Sequence, residues 1–155
     1  MNLKNKVILV TGASSGLGEQ ICYEAAKRGA IIIVCARRIQ LIGQVKEKCK
    51  QLSQNEAYAF QLDVSDPDSI ERMYERVKQE VGAVDCLVND AGFGHFDNFV
   101  SFEQEKIREM FEVNVLGLML LTQRVASDML ESKRGHIINI ASMAGKMATP
   151  KSSIY

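Results

Sequence analysis

The chain has 155 residues, 46% apolar and 25% charged, with only 2 Pro and 11 Gly. That is the size and composition of one ordinary globular domain, and it excludes collagen-like and low-complexity classes. Lys plus Arg and Asp plus Glu each number 19, so the formal net charge is zero. The basic excess of a nucleic-acid binder is absent.

In chain order, short apolar runs alternate with longer amphipathic segments. Residues 7–10 are an apolar run closed by the turn signal Thr11-Gly12, and residues 19–28 carry Ile21, Cys22, Ala25 and Ala26 on one helical face before Gly29. Residues 31–35 form a continuous β-branched run, the pattern of a strand covered on both faces. Leu41, Ile42, Val45, Cys49 and Leu52 recur at helical spacing, and residues 58–62 are a third strand. Asp66-Pro67 is an N-cap followed by proline at the first helical position, opening a helix that reaches Val81. Residues 85–88 predict a fourth strand, 101–131 a long helical segment and 136–141 a fifth strand. Strands alternating with helices of these lengths predict an α/β fold with a doubly wound, Rossmann-like parallel sheet.

The cysteines Cys22, Cys35, Cys49 and Cys86 form no Cys-x-x-Cys pair. They are expected as buried thiols in a reducing, cytoplasmic setting rather than as metal ligands or disulfides. No apolar run approaches the ~20 residues of a membrane span, and no carboxylate–histidine cluster points to a metal. Neither nucleic acid nor membrane is an expected partner. His95, in Gly94-His95-Phe96, could reach a substrate, although a lone loop histidine is usually solvated.

The most informative segment is Thr11-Gly12-Ala13-Ser14-Ser15-Gly16-Leu17-Gly18, between the first strand and the first helix. A helix N-terminus offers unpaired N–H groups and positive dipole density to a diphosphate. Gly12 permits the tight turn, Gly16 a close backbone approach to phosphate, and Gly18 close packing of the helix on the sheet. Ser14, Ser15 and Leu17 complete the expected cofactor-binding segment. An acidic residue is needed ~20 residues after such glycines to bind a ribose 2′-hydroxyl. Ala36-Arg37-Arg38 stands there instead. Guanidinium groups suit the 2′-phosphate of NADP, so NADP (NADPH) is favoured over NAD. Asp63-Val64 follows the third strand, where a carboxylate either accepts from an adenine amino group or bonds its own turn.

These residues, together with Asn89-Asp90-Ala91-Gly92, Asn114, Ser142 and Tyr155, resemble the short-chain dehydrogenase/reductase family in its Tyr-x-x-x-Lys form. The resemblance implies an NADP-dependent oxidoreductase that interconverts a small-molecule carbonyl and its alcohol by hydride transfer. It implies Tyr155 as general acid/base, Ser142 as hydrogen-bond donor to the substrate oxygen, and Asn114 as anchor of a water leading to the motif lysine. Asn89, Ala91 and Gly92 are implied at the cofactor. Asn114, read from its apolar surroundings alone, is equally a buried amide satisfied by backbone, and Ser142 equally a strand-end cap.

Two departures stand out. The family's Asn-Asn-Ala-Gly is here Asn89-Asp90-Ala91-Gly92, and aspartate loses two donors and adds charge. The motif lysine, four residues after Tyr155, falls past the last residue given. Residues 1–155 are therefore expected to be a dinucleotide-binding domain truncated after the fifth strand and inactive by itself. The alternative is a catalytically silent nucleotide-binding or assembly module. The apolar residues of 113–121 occupy more than one helix face, and relatives often pair through this helix, so a homo-oligomer is expected.

Overall fold

The computed structural model describes residues 3–147 and 150–154. Five parallel strands, β1 (Val7–Val10), β2 (Ile31–Ala36), β3 (Ala57–Gln61), β4 (Cys86–Asn89) and β5 (His136–Asn139), lie in the order β3-β2-β1-β4-β5. The helices between them are α1 (Gly16–Lys27), α2 (Ile39–Leu52), α3 (Pro67–Glu80), α4 (Gln104–Phe111) and α5 (Leu118–Glu131). The expected doubly wound sheet is the one found.

Strand side chains alternate between two cores because successive residues face opposite sides of a pleat. Leu9, Ile33, Cys35 and Leu87 pack with Tyr74 and Val77 of α3 and with Leu121 and Val125 of α5. Ile8, Val10, Ile32 and Val34 pack on the other face with Cys22 and Ala26 of α1 and with Ile42 and Val45 of α2. With both faces covered, the central strands have no position for a polar side chain, hence their unbroken apolar runs.

The boundaries moved where the pattern was silent. α1 begins at Gly16, three residues before its apolar periodicity, because its first turn contains glycines with no side chain to register a face. Asp66 caps α3 as expected, its carboxylate accepting from the Asp68 N–H at 3.0 Å. The long segment is not one regular helix. Residues Phe99–Ser101 make a separate single turn, and between α4 and α5 the chain widens into a π turn over Glu112–Gly117. Such an inserted residue re-aims side chains and recurs at functional sites. Across the back, Arg124 of α5 reaches Glu71 and Glu75 of α3 and stacks over the Tyr74 ring, fixing the two helices side by side.

Candidate functional site

The order of the strands places the site. β1 lies between β2 and β4, so the chain leaves it in opposite directions and opens a crevice at the carboxyl ends of these strands. A cleft of about 270 Å³ occupies that position. Gly12, Ser14 and Ser15 line it from the turn after β1, Arg37 and Arg38 from the end of β2, Asp63 and Val64 from the end of β3, and Ala91 and Gly92 from the end of β4.

Thr11 holds the cleft together. It is 1% exposed, and its Oγ1 accepts from the N–H groups of both Asp90 and Ala91 at 3.0 Å. This tie brings the two turns so close that a Cβ on Gly12 would stand 2.9 Å from the Ala91 N and Cα atoms, and Gly12 has φ +65°. Gly16 also has a positive φ, of +68°, but faces open space. That emptiness suits close approach of a ligand to backbone. Gly18 packs not on the sheet but against the Gly12–Ala13 backbone and the Asp90 carboxylate. The N-cap Ser15 makes no side-chain bond to the first turn of α1. Its hydroxyl, with that of Ser14, accepts from the Arg38 guanidinium at 2.9 and 2.8 Å. Arg38 is thereby held over the glycine turn. Neither serine carried a signal for that contact, because it depends on a long side chain folding back across 23 residues of sequence.

Of the two readings of Asp63, the turn reading describes one oxygen. Its Oδ1 accepts from the N–H and the hydroxyl of Ser65, at 3.0 and 2.6 Å, while the residue still lines the cleft. Asn89 is placed differently from its expected position at the cofactor. It is buried at 3% exposure beneath the cleft and donates to Thr122 of α5 and Asn139 of β5, both at 2.9 Å. Leu17, Gly16 and Gly18 belong to the start of α1 rather than to the residues lining the cleft.

A second hollow, of about 470 Å³, shares the Asp90–Gly92 wall with the first. Asn114 and Ser142 line it, with apolar neighbours Met110, Val115 and Ile140. Asn114 sits in the π turn, and both ends of its amide are engaged by Phe93: Oδ1 accepts from the Phe93 N–H at 3.0 Å and Nδ2 donates to the Phe93 carbonyl at 2.8 Å. The backbone-satisfied reading of this amide describes the contact. Ser142 caps the single turn Met143–Gly145, accepting from the Ala144 N–H at 3.1 Å. A hydroxyl has one proton to give and two lone pairs, so this bond orients Oγ and leaves its O–H to donate. Tyr155 lies outside the described residues. His95 is exposed, edge-on to the Phe102 ring at 5.6 Å, and does not line the hollow.

Burial pushes all four thiols up, Cys49 to about 11, away from the thiolate that nucleophilic attack requires. Among the described residues no helix is long and apolar enough to cross a membrane, and no three His, Cys, Asp or Glu residues gather as a metal site.

The family model for short chain dehydrogenase matches residues 6–155. The chain is 34% identical over 149 residues to human 17-beta-hydroxysteroid dehydrogenase 13, covering 96% of this chain and 49% of that protein. It is also 34% identical over 154 residues to farnesol dehydrogenase of Aedes aegypti, covering 97% and 63%. Among solved structures, an alcohol dehydrogenase from Thermococcus sibiricus complexed with 5-hydroxy-NADP superposes with a TM-score of 0.93 at 28% identity, covering 98% of this chain and 64% of that one. A short-chain type dehydrogenase/reductase from Mycobacterium marinum gives 0.94 at 29% identity, covering 99% and 63%. The chain spans about half the length of the human relative. With the family model matching residues 6–155 and the fold shared with the Thermococcus sibiricus enzyme over nearly all of its length, the chain belongs to the short-chain dehydrogenase family.

Proposed function

We propose that the protein is an NADP-dependent oxidoreductase that interconverts a small-molecule carbonyl and its alcohol. One observation carries the reading: the cleft built on the glycine turn and the hollow lined by Ser142 and Asn114 have Asp90, Ala91 and Gly92 as a common wall. A dinucleotide lying in the first would present one end to the second. The residues fit such a group, with two serine hydroxyls and two guanidinium groups along one cleft and open backbone at Gly16 where α1 begins beside it. When bound, a nicotinamide dinucleotide supplies exchange of a hydride equivalent at its nicotinamide ring.

The chain's own residues supply the rest. Ser142, oriented by Ala144, donates to the substrate oxygen. Asn114 fixes Phe93, and with it the wall between the two spaces. Tyr155 gives a proton to the carbonyl oxygen, or takes one from the alcohol. A free tyrosine titrates near ~10, so work near neutrality asks for a neighbouring cation worth about 4 kcal/mol. The family's lysine four residues on has that role, and a polypeptide restricted to residues 1–155 is accordingly proposed to be inactive. The relatives named for hydroxysteroids and farnesol support an alcohol or carbonyl as substrate. Free, mostly buried cysteines support a cytoplasmic place of action.

Arg37 and Arg38, where a carboxylate would select NAD, support NADP. Fluorescence titration of the protein with NADPH and NADH tests this. NADPH is expected to bind at least about tenfold more tightly, since a 2′-phosphate on a guanidinium is a charge-assisted contact, and Arg37→Asp to narrow the gap. Equal or tighter NADH binding overturns the NADP assignment. Consumption of NADPH with aldehydes or ketones, by a polypeptide that extends through the family's lysine and by one restricted to residues 1–155, tests the reaction itself: turnover by the first alone is expected, and none by either overturns the reading.

A further inference from the structure

Asp90 is where this chain departs from the Asn-Asn-Ala-Gly pattern, and the structure gives the substituted carboxylate a definite place. Its backbone N–H donates to Thr11, and its carboxylate lies against the Gly18 backbone at the start of α1, where N–H donors are left unpaired. The fit is close: a Cβ on Gly18 would stand 2.7 Å from Asp90 Oδ2. Asp90 also belongs to the wall of both the cleft and the hollow. The residue therefore holds a negative charge against the helix end whose positive field would attract a diphosphate.

We propose that the Asp90 carboxylate opposes dinucleotide binding, so that affinity falls as Asp90 ionises and a proton is taken up when the dinucleotide binds. This deepens the nucleotide-binding reading and rests on it. The charged groups around Asp90 are the same in the protein and in an Asp90→Asn variant, so that comparison isolates the carboxylate. Glu19 of α1 is bonded to Tyr23, Arg38 to Ser14 and Ser15, and Asp63 to Ser65. Arg37 lines the same cleft, and Cys22 of α1 is kept neutral by burial. From α4, the π turn and β5, the hollow presents Asn114, Asn139 and Ser142, all uncharged. Burial raises the Asp90 carboxyl above the ordinary aspartate range, with the Gly18 N–H partly opposing. A raised carboxyl is protonated more readily, and an arriving diphosphate raises it further, because like charge favours the neutral form. The sign follows: affinity is highest at low pH and declines as pH rises through the titration of Asp90.

The test is isothermal titration calorimetry of the protein and its Asp90→Asn variant with NAD⁺ and NADP⁺. Buffers of differing ionisation enthalpy give the protons taken up. Asparagine keeps the size and one oxygen of the side chain and removes the charge. NAD⁺ is the primary probe, since the 2′-phosphate of NADP⁺ itself titrates near pH ~6. As pH rises through the titration of Asp90, the unaltered protein is expected to lose roughly tenfold in NAD⁺ affinity, with net proton uptake on binding, one shifted unit being a factor of ten. Asp90→Asn is expected to take up no protons and to bind roughly tenfold more tightly than the parent above that titration. Binding by the parent without proton uptake overturns the proposal, and this measurement needs no variant. Equal affinity and equal proton uptake in the two proteins overturn it as well. If neither dinucleotide binds either protein at any pH, the nucleotide-binding reading fails, and the Asp90 proposal with it.

Discussion

Gly12 and Gly16 stand four residues apart in one turn, share a left-handed backbone, and face opposite surroundings. A side chain at Gly12 meets the Ala91 backbone, which cannot yield without breaking the Thr11 tie to Asp90 and Ala91. A side chain at Gly16 meets nothing and carries only the left-handed penalty, about 1–2 kcal/mol. Gly12→Ala is therefore expected to cost more than that in urea denaturation, about 2–4 kcal/mol once overpacking is added. Gly16→Ala is expected to remain folded and to lose dinucleotide affinity instead, by closing the space over the turn. Equal stability losses would contradict this division. The spacing of the glycines made the turn legible in advance, because only a few backbones need that pattern. The turn reading of Asp63 was legible too, since aspartate after a strand commonly bonds two residues on, but the contacts of Arg38 with the serines and of Asn89 with Asn139 were not. Each is a choice among side-chain partners that only the assembled loops present.

The π turn joining α4 to α5 shows the same limit at the level of an element. Apolar periodicity over 101–131 predicts helix, and helix is what forms, but the rotation of about 100° that one inserted residue brings does not show where residues 113–121 are apolar on more than one face. Its consequence is structural. The turn ends at Gly117, which is buried and lies so close to the Val64 carbonyl that a Cβ there would overlap it. The helix thus approaches the end of β3 at the margin of the cleft only because residue 117 has no side chain. In an open helix, Gly→Ala stabilises by about 1 kcal/mol. Here the sign reverses. Gly117→Ala is expected to destabilise by about 1–3 kcal/mol, the usual cost of overpacking, and to weaken dinucleotide binding by displacing Val64. A stabilised variant in thermal or urea denaturation would show that the helix can move away freely.

At the scale of the whole molecule, one side of the α4–α5 helix is buried and the other is open. Leu121, Val125 and Met129 lie against the sheet, whereas Phe111, Val115, Leu116, Met119 and Leu120 are exposed, Phe111 by 51% and Met119 by 58%. One sheet-facing stripe is all that a covering helix needs. A second apolar stripe on the same rod, more than scattered surface residues, is the mark of a surface made to be covered. We propose that a second copy of the chain covers it, helix against helix, since a two-fold axis lets one self-complementary patch serve both partners. Light scattering of the protein at micromolar concentration is expected to give a multiple of the single-chain mass. Met119→Glu places a charge in the centre of the open stripe, where burial without a partner is costly, and is expected to shift the mass towards one chain while thermal stability of the fold, measured at equal concentration, falls only by the contribution of assembly. A single-chain mass for the unaltered protein would overturn the oligomer, and an unchanged multiple for Met119→Glu would move the interface to another face of the molecule.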